Sequence, residues 1–128
     1  MALFRFSGFF HSADNAPHEH WYVDLGEEHV VKTIVMAGRY DCCGHRVHDV
    51  KIWTGNSQPT SRPLNDSNFV LCGIMPYKMP YTHSYNGVMC YKWTVGRYVV
   101  VENNKPGLDN ALMIVEVAVF GEGLAEFL

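Results

Sequence analysis

The chain has 128 residues, 48% of them apolar, with 10 basic and 13 acidic side chains and a net charge of −3. That length fits one domain spanning residues 1–128, and that apolar share excludes a disordered chain. The negative charge argues against nucleic acid as a partner, and no apolar run approaches the roughly 18 residues a membrane-spanning helix needs, so no membrane insertion is expected.

The opening, Met1-Ala2-Leu3-Phe4-Arg5-Phe6, is apolar but broken by Arg5. It lacks the charged start and small-residue cleavage site of a signal peptide. Phe4, Phe6, Phe9 and Phe10 crowd this first stretch. His18-Glu19-His20 puts two histidines on one side of an extended segment. Two ligands rarely make a tight metal site, so a solvated loop is predicted there. Residues 29–36 are β-branched and partly alternating, which predicts a strand.

Arg39-Tyr40-Asp41-Cys42-Cys43-Gly44-His45-Arg46 follows. Guanidinium groups present rigid forks of donors, and a carboxylate between two arginines can hold one fork still. Adjacent cysteines bridge each other only under strain, because their α-carbons lie about 3.8 Å apart where ordinary disulfides need roughly 4.4–6.8 Å. Such a ring would be an apolar, polarisable knob beside polar donors. That pairing suits a sugar, which has hydroxyl edges and an apolar ring face. His45 and His48 stand nearby without an assigned role.

Residues 47–54 alternate, and Val50 and Ile52 should point to the core. Residues 69–72 and 88–91 are strand-like, as are 97–102 and 112–120. Turn signals separate them: Gly55-Asn56-Ser57, Arg62-Pro63-Leu64-Asn65-Asp66, Asn86-Gly87 and Asn103-Asn104-Lys105-Pro106-Gly107. Residues 74–85 form an aromatic- and proline-rich loop. It either covers one end of the domain or walls a binding site. Trp21, Trp53 and Trp93 are expected as core aromatics. About seven short strands with regular turns, and no amphipathic helix of useful length, predict an all-β sandwich. Four cysteines permit three pairings, and no Cys-x2-Cys spacing supports a structural zinc site. No pair of carboxylates across a cleft can be singled out for glycoside hydrolysis. A redox role for Cys42 and Cys43 would need the neighbouring arginines to lower a thiol pKa.

Arg-x-Asp-x4-Arg with Cys-Cys inside it resembles the signature of F-type lectins, the fucolectins. Trp21-Tyr22-Val23-Asp24-Leu25, Gly96-Arg97-Tyr98-Val99 and Val115-Glu116-Val117 with Phe120-Gly121 are similar to that family's strand motifs. The resemblance runs from about residue 9 to about residue 121, leaving residues 122–128 as an apolar tail. It implies a discoidin-like jelly-roll sandwich and a non-catalytic lectin for L-fucose or fucosylated glycans and glycoproteins. By the same resemblance His11, Arg39 and Arg46 bind the sugar. Asp41 orients an arginine, and a Cys42–Cys43 bridge lies against the pyranose. His11 stands 28 positions ahead of Arg39, one more than in the family. The resemblance also implies that Cys72 and Cys90 pair with each other, and that the protein is secreted. A discoidin-type module for another glycan, a protein or a membrane surface is the alternative.

The chain departs from the family in three places. Relatives carry a longer stretch, with a calcium-binding loop, before the histidine. Their cysteine before the histidine and its partner in the closing strand are Phe9 and Met113 here. A calcium-ligating carboxylate there is Ile114 here. No cofactor is expected, and no calcium at that position, because hard cations need roughly six to eight oxygens. A shortened start should uncover a sheet edge. That favours a homo-oligomer, a dimer first, through the phenylalanines at one end and Leu124, Phe127 and Leu128 at the other.

Overall fold

The computed structural model describes residues 1–11, 19–37, 50–61, 64–65, 67–75, 86–103 and 113–124, with side chains at all of these except 9–11, 86 and 113. Six strands are found among them: β1 (Ala2–His11), β2 (His20–Ala37), β3 (Val50–Gly55), β4 (Phe69–Met75), β5 (Asn86–Asn103) and β6 (Met113–Gly123). They hydrogen-bond in the order β1-β6-β2-β5-β3-β4, antiparallel throughout.

β2 and β5 are 18 residues long, more than the sequence pattern foretold, and each belongs to two layers. Residues 20–24 of β2 pair with 98–102 of β5, and β3 and β4 extend that layer. Residues 33–36 of β2 pair with 86–89 of β5, while β6 and then β1 extend the second layer. The change of layer falls where the register breaks between Asp24 and His29. There the Asp24 carboxylate accepts from Gly26 N at 2.8 Å, and Gly26 takes a φ of 89°, a conformation that favours glycine. Farther along, β6 presses so close to β2 that a Cβ at Gly121 would overlap the Val30 carbonyl.

The alternation in β3 came out as expected. Val50, Ile52 and Thr54 are fully buried, while Lys51 and Trp53 are half-buried on the other face. Both layers supply the core: Val99 and Val101, with Val50 and Ile52, meet Ile34, Met36, Val117 and Val119. The Cys72–Cys90 disulfide joins β4 to the first half of β5 across this core. That pairing is the one the resemblance implied. The architecture is an all-β, discoidin-like jelly-roll sandwich.

The start of the chain is β1, paired to β6. Phe4 and Phe6 pack on Trp21 of the same chain, with ring centroids 6.0 and 5.8 Å away. These two rings are therefore covered internally and not held out for a neighbour. Three other expectations are corrected. Asn86 and Gly87 do not turn; they open β5 opposite Met36 and Val35, so tertiary pairing overrides local turn preference. Ile74 and Met75 belong to β4 and not to a loop. Trp93 is not a core residue: it is 54% exposed. The cause is an irregularity in β5. Val31 pairs with Thr94 and Thr33 with Met89, so four residues, Cys90 to Trp93, stand opposite Lys32 alone; Cys90 stays in the core while Tyr91 and Trp93 are turned outward.

Candidate functional site

The register shows which strand ends share one end of the sandwich. Val50 pairs with both Met75 and Asn103, which aligns the start of β3 with the ends of β4 and β5. Asn86 pairs with Met36, and Ala37 with Glu116. His11 closes β1 opposite Met113. Cys72 is bonded to Cys90, and a Cβ at Gly73 would meet Val88, so β4 and the first half of β5 run antiparallel across the core. Met75 and Asn86 therefore emerge together. His20 joins the same end, because Asn103 N donates to the neighbouring Glu19 carbonyl at 2.8 Å. Eight strand ends converge there by these pairings: His11, His20, Ala37, Val50, Met75, Asn86, Asn103 and Met113.

The segment 38–49 connects the end of β2 at Ala37 to the start of β3 at Val50. It carries Arg39, Asp41, Cys42, Cys43 and Arg46, all of which lie outside the described residues, as do His45 and His48. His11 is described as backbone only. The aromatic segment 76–85 bridges Met75 and Asn86 and also lies outside the described residues, with Phe127 and Leu128. Of His18-Glu19-His20, His20 opens β2 and Glu19 lends its carbonyl to Asn103, so neither is a bare solvated loop residue. Among the described residues no group of three or more His, Cys, Asp or Glu side chains is placed to hold a metal ion. Ile114, the position at which the resemblance implied a lost calcium ligand, is a fully buried core residue.

At the opposite end, two of the resembling strand motifs meet. Arg97 Nε donates to Asp24 Oδ1 at 2.6 Å and its second nitrogen to Oδ2 at 2.7 Å, a two-pronged pair between β5 and β2. The Arg97 guanidinium first, and the Gly26 amide second, hold the Asp24 carboxyl at about 2, below its ordinary 3.8. Asn56 accepts from Arg97 N at 3.2 Å, tying the turn after β3 to the same pair. Both charges are well exposed, so the pair serves alignment more than stability.

A second support lies on the outer face of the β3 layer. Glu102 is 2% exposed, and its carboxylate accepts Trp53 Nε1–H at 3.1 Å and Leu64 N–H at 2.7 Å. This holds Leu64 down on Val100 and Phe69, with Trp53 and Tyr98 alongside. Neither Asp24 with Arg97 nor Glu102 with its donors was foreseen. The motif residues were visible in the sequence, but contacts between residues 38 to 73 positions apart leave no local signal.

Residues 7–101 match the family model of the F5/F8 type C group described as NedA-like, galactose-binding domain. Among curated proteins, Fucolectin-5 of Anguilla japonica is 31% identical over 87 residues, 68% of this chain and 43% of that protein. A fucolectin from the serum of Morone saxatilis, striped bass, superposes with a TM-score of 0.69 at 29% identity, covering 88% of this chain and 36% of that one. A fucose binding module of Streptococcus pneumoniae has a TM-score of 0.61 at 19% identity, covering 89% of this chain and 70% of that one, which shows a shared fold. The chain thus spans under half the length of the curated fucolectin and of the striped bass protein. With a family match over most of the described strands and a sandwich of the same topology, the chain belongs to the NedA-like, galactose-binding domains of the F5/F8 type C family.

Proposed function

We propose that this domain is a non-catalytic lectin that binds L-fucose or fucosylated glycans in an extracellular setting. His11, Arg39 and Arg46 donate to or recognise the sugar hydroxyls. Asp41 steadies an arginine, and a Cys42–Cys43 bridge meets the apolar edge of the ring. Likeness to fucolectins over 68% of the chain supports the class of ligand.

The observation that carries the residue assignment is the layout of β6. His11 and Ala37 flank it on either side, opposite Met113 and Glu116. His11 and Ala37 lie two strand spacings apart across β6 and three residues apart along it, about 14 Å in all, so the backbone of His11 and the start of the segment that carries Arg39 border the same end of the sheet. A neutral sugar carries no charge, so the arginines act as arrays of charged donors, each bond contributing about 1.5–3 kcal/mol in a favourable site.

Titration calorimetry with L-fucose and with D-galactose tests this. Arg39→Ala and Arg46→Ala should each weaken fucose binding by about tenfold to a hundredfold, with unchanged circular dichroism. Unchanged affinity in both would sink the assignment. Binding of galactose and not fucose, abolished by the same substitutions, would keep the site and replace the ligand.

A further inference from the structure

We infer that the outer face of the β5-β2-β6 layer is a self-association surface, on which a second copy of this chain packs about a two-fold axis running along β2. A solvent-facing sheet normally turns polar side chains outward. Here β5 turns apolar side chains outward, with the charged Lys32, Glu122 and Arg5 on the same face. Met89, Tyr91, Trp93 and Val95 are 74%, 71%, 54% and 39% exposed along the edge strand β5. On the other side of β2, Val35, Ala118 and Phe120 line a mostly apolar groove of about 270 Å³, bordered by Glu116 and by Arg5, whose guanidinium lies 5.5 Å over the Phe120 ring. One face thus carries a ridge on one flank and a groove on the other.

The register makes these two features interchangeable. Thr33 pairs with Met89 on one side and Phe120 on the other; Val35 pairs with Gly87 on one side and Ala118 on the other. A half-turn about β2 swaps β5 for β6. It sets Met89 of one copy over Phe120 and the groove of its partner, Gly87 over Ala118, and Val35 over Val35. Each ridge fills the other copy's groove, which is the self-complementarity a closed dimer requires.

Size sets the strength. Four strands at about 4.8 Å and five residues at about 3.3 Å give a flat face of roughly 300 Å², under half of the roughly 800 Å² per partner of a standard interface. Tyr91 and Trp93 overhang that face and add to it. The dimer is therefore weak. A sugar platform on Trp93 is a poorer use of the surface, because the Lys32 ammonium already lies 3.9 Å over the ring and is held by Glu122 at 2.8 Å. A net charge of −3 disfavours an anionic membrane. The inference does not rest on the sugar reading.

Sedimentation equilibrium from about 10 μM to about 1 mM, the range an interface of this size calls for, should show a monomer–dimer equilibrium. Met89→Glu should weaken it by about tenfold or more while leaving the melting curve in place, since the side chain is exposed. Val35→Cys, on the axis, should give a disulfide-linked dimer on a non-reducing gel. Val70→Cys, 44% exposed on β4 in the other layer, should not. A monomer at about 1 mM, equal cross-linking of both cysteine variants, or Met89-dependent binding to phosphatidylcholine vesicles without self-association would each overturn it.

Discussion

Replacing Glu102 by glutamine changes no volume and removes one acceptor from a place with two donors. In the native side chain, Oε1 takes Trp53 Nε1–H and Oε2 takes Leu64 N–H, and the residue is 2% exposed, so water cannot substitute. An amide keeps one oxygen and presents an NH2 group in place of the other. The shorter bond, at 2.7 Å to Leu64, keeps the oxygen. Trp53 Nε1–H then faces a donor. A buried donor left unsatisfied costs about 1–3 kcal/mol, and weakening a charge-assisted bond to a neutral one adds to this. The expected loss is about 2–4 kcal/mol, or a fall in Tm of roughly 6–15 °C for a chain of this length. Equilibrium urea unfolding measures it, and an unchanged m-value shows that the folded state is intact. Trp53→Phe removes the conflicting donor. In that background the cost of Glu102→Gln should shrink by about 1–2 kcal/mol, a coupling that a thermodynamic cycle isolates. A Glu102→Gln protein within about 0.5 kcal/mol of wild type, or a cycle with no coupling, would refute the reasoning.

Replacing Cys72 and Cys90 by alanine releases a loop with a sequence separation of 18 and should lower stability by about 3 kcal/mol on the chain-entropy account, read as a shift of the urea midpoint. The Asp24 carboxyl, held at about 2 by Arg97 and the Gly26 amide, adds stability that is fully present above its ordinary 3.8 and lost as pH falls through about 2. Asp24→Asn should therefore flatten the stability profile between those pH values, and added salt should flatten it in wild type as well; a profile unaltered by the substitution would count against the pair. Sugar binding should survive EDTA, because Ile114 is a buried aliphatic; a calcium-reversible loss measured by calorimetry would place ligands elsewhere.

The strands were legible because β-branched residues recur with period two where one face is buried. Val50, Ile52 and Thr54 alternate with Lys51 and Trp53 for that reason. Cys72 and Cys90 were paired through family likeness and meet across the core. Trp93 was misjudged because indole size predicts burial, whereas four residues of β5 standing opposite Lys32 push the ring outward, a register effect with no composition behind it. Asn86-Gly87 carries a turn signal that pairing with Met36 and Val35 overrides. For the proposed sugar site, a motif of eight consecutive residues was readable because its candidate donors lie close in sequence. The apolar outer face was not, because Met89, Val35 and Phe120 line up only after three strands have found their register.

The pairing of the first strand with the last sets the order in which this chain is completed during synthesis. Ala2 pairs with Phe120 and His11 with Met113. While the ribosome is still adding residues, β1 has no β6 to join, and Phe4 and Phe6 wait with half of their docking site missing. Contacts this remote in sequence close late, since loop entropy must be overcome before they form. The nascent domain therefore stays open along one side until residue 123 has cleared the exit tunnel, and its aromatic start is a segment for a chaperone to shield in the interval. Truncation before β6 should leave that start permanently unpartnered, so the arrival of β6, and not the folding of any early hairpin, is the step that commits this sandwich to its final form.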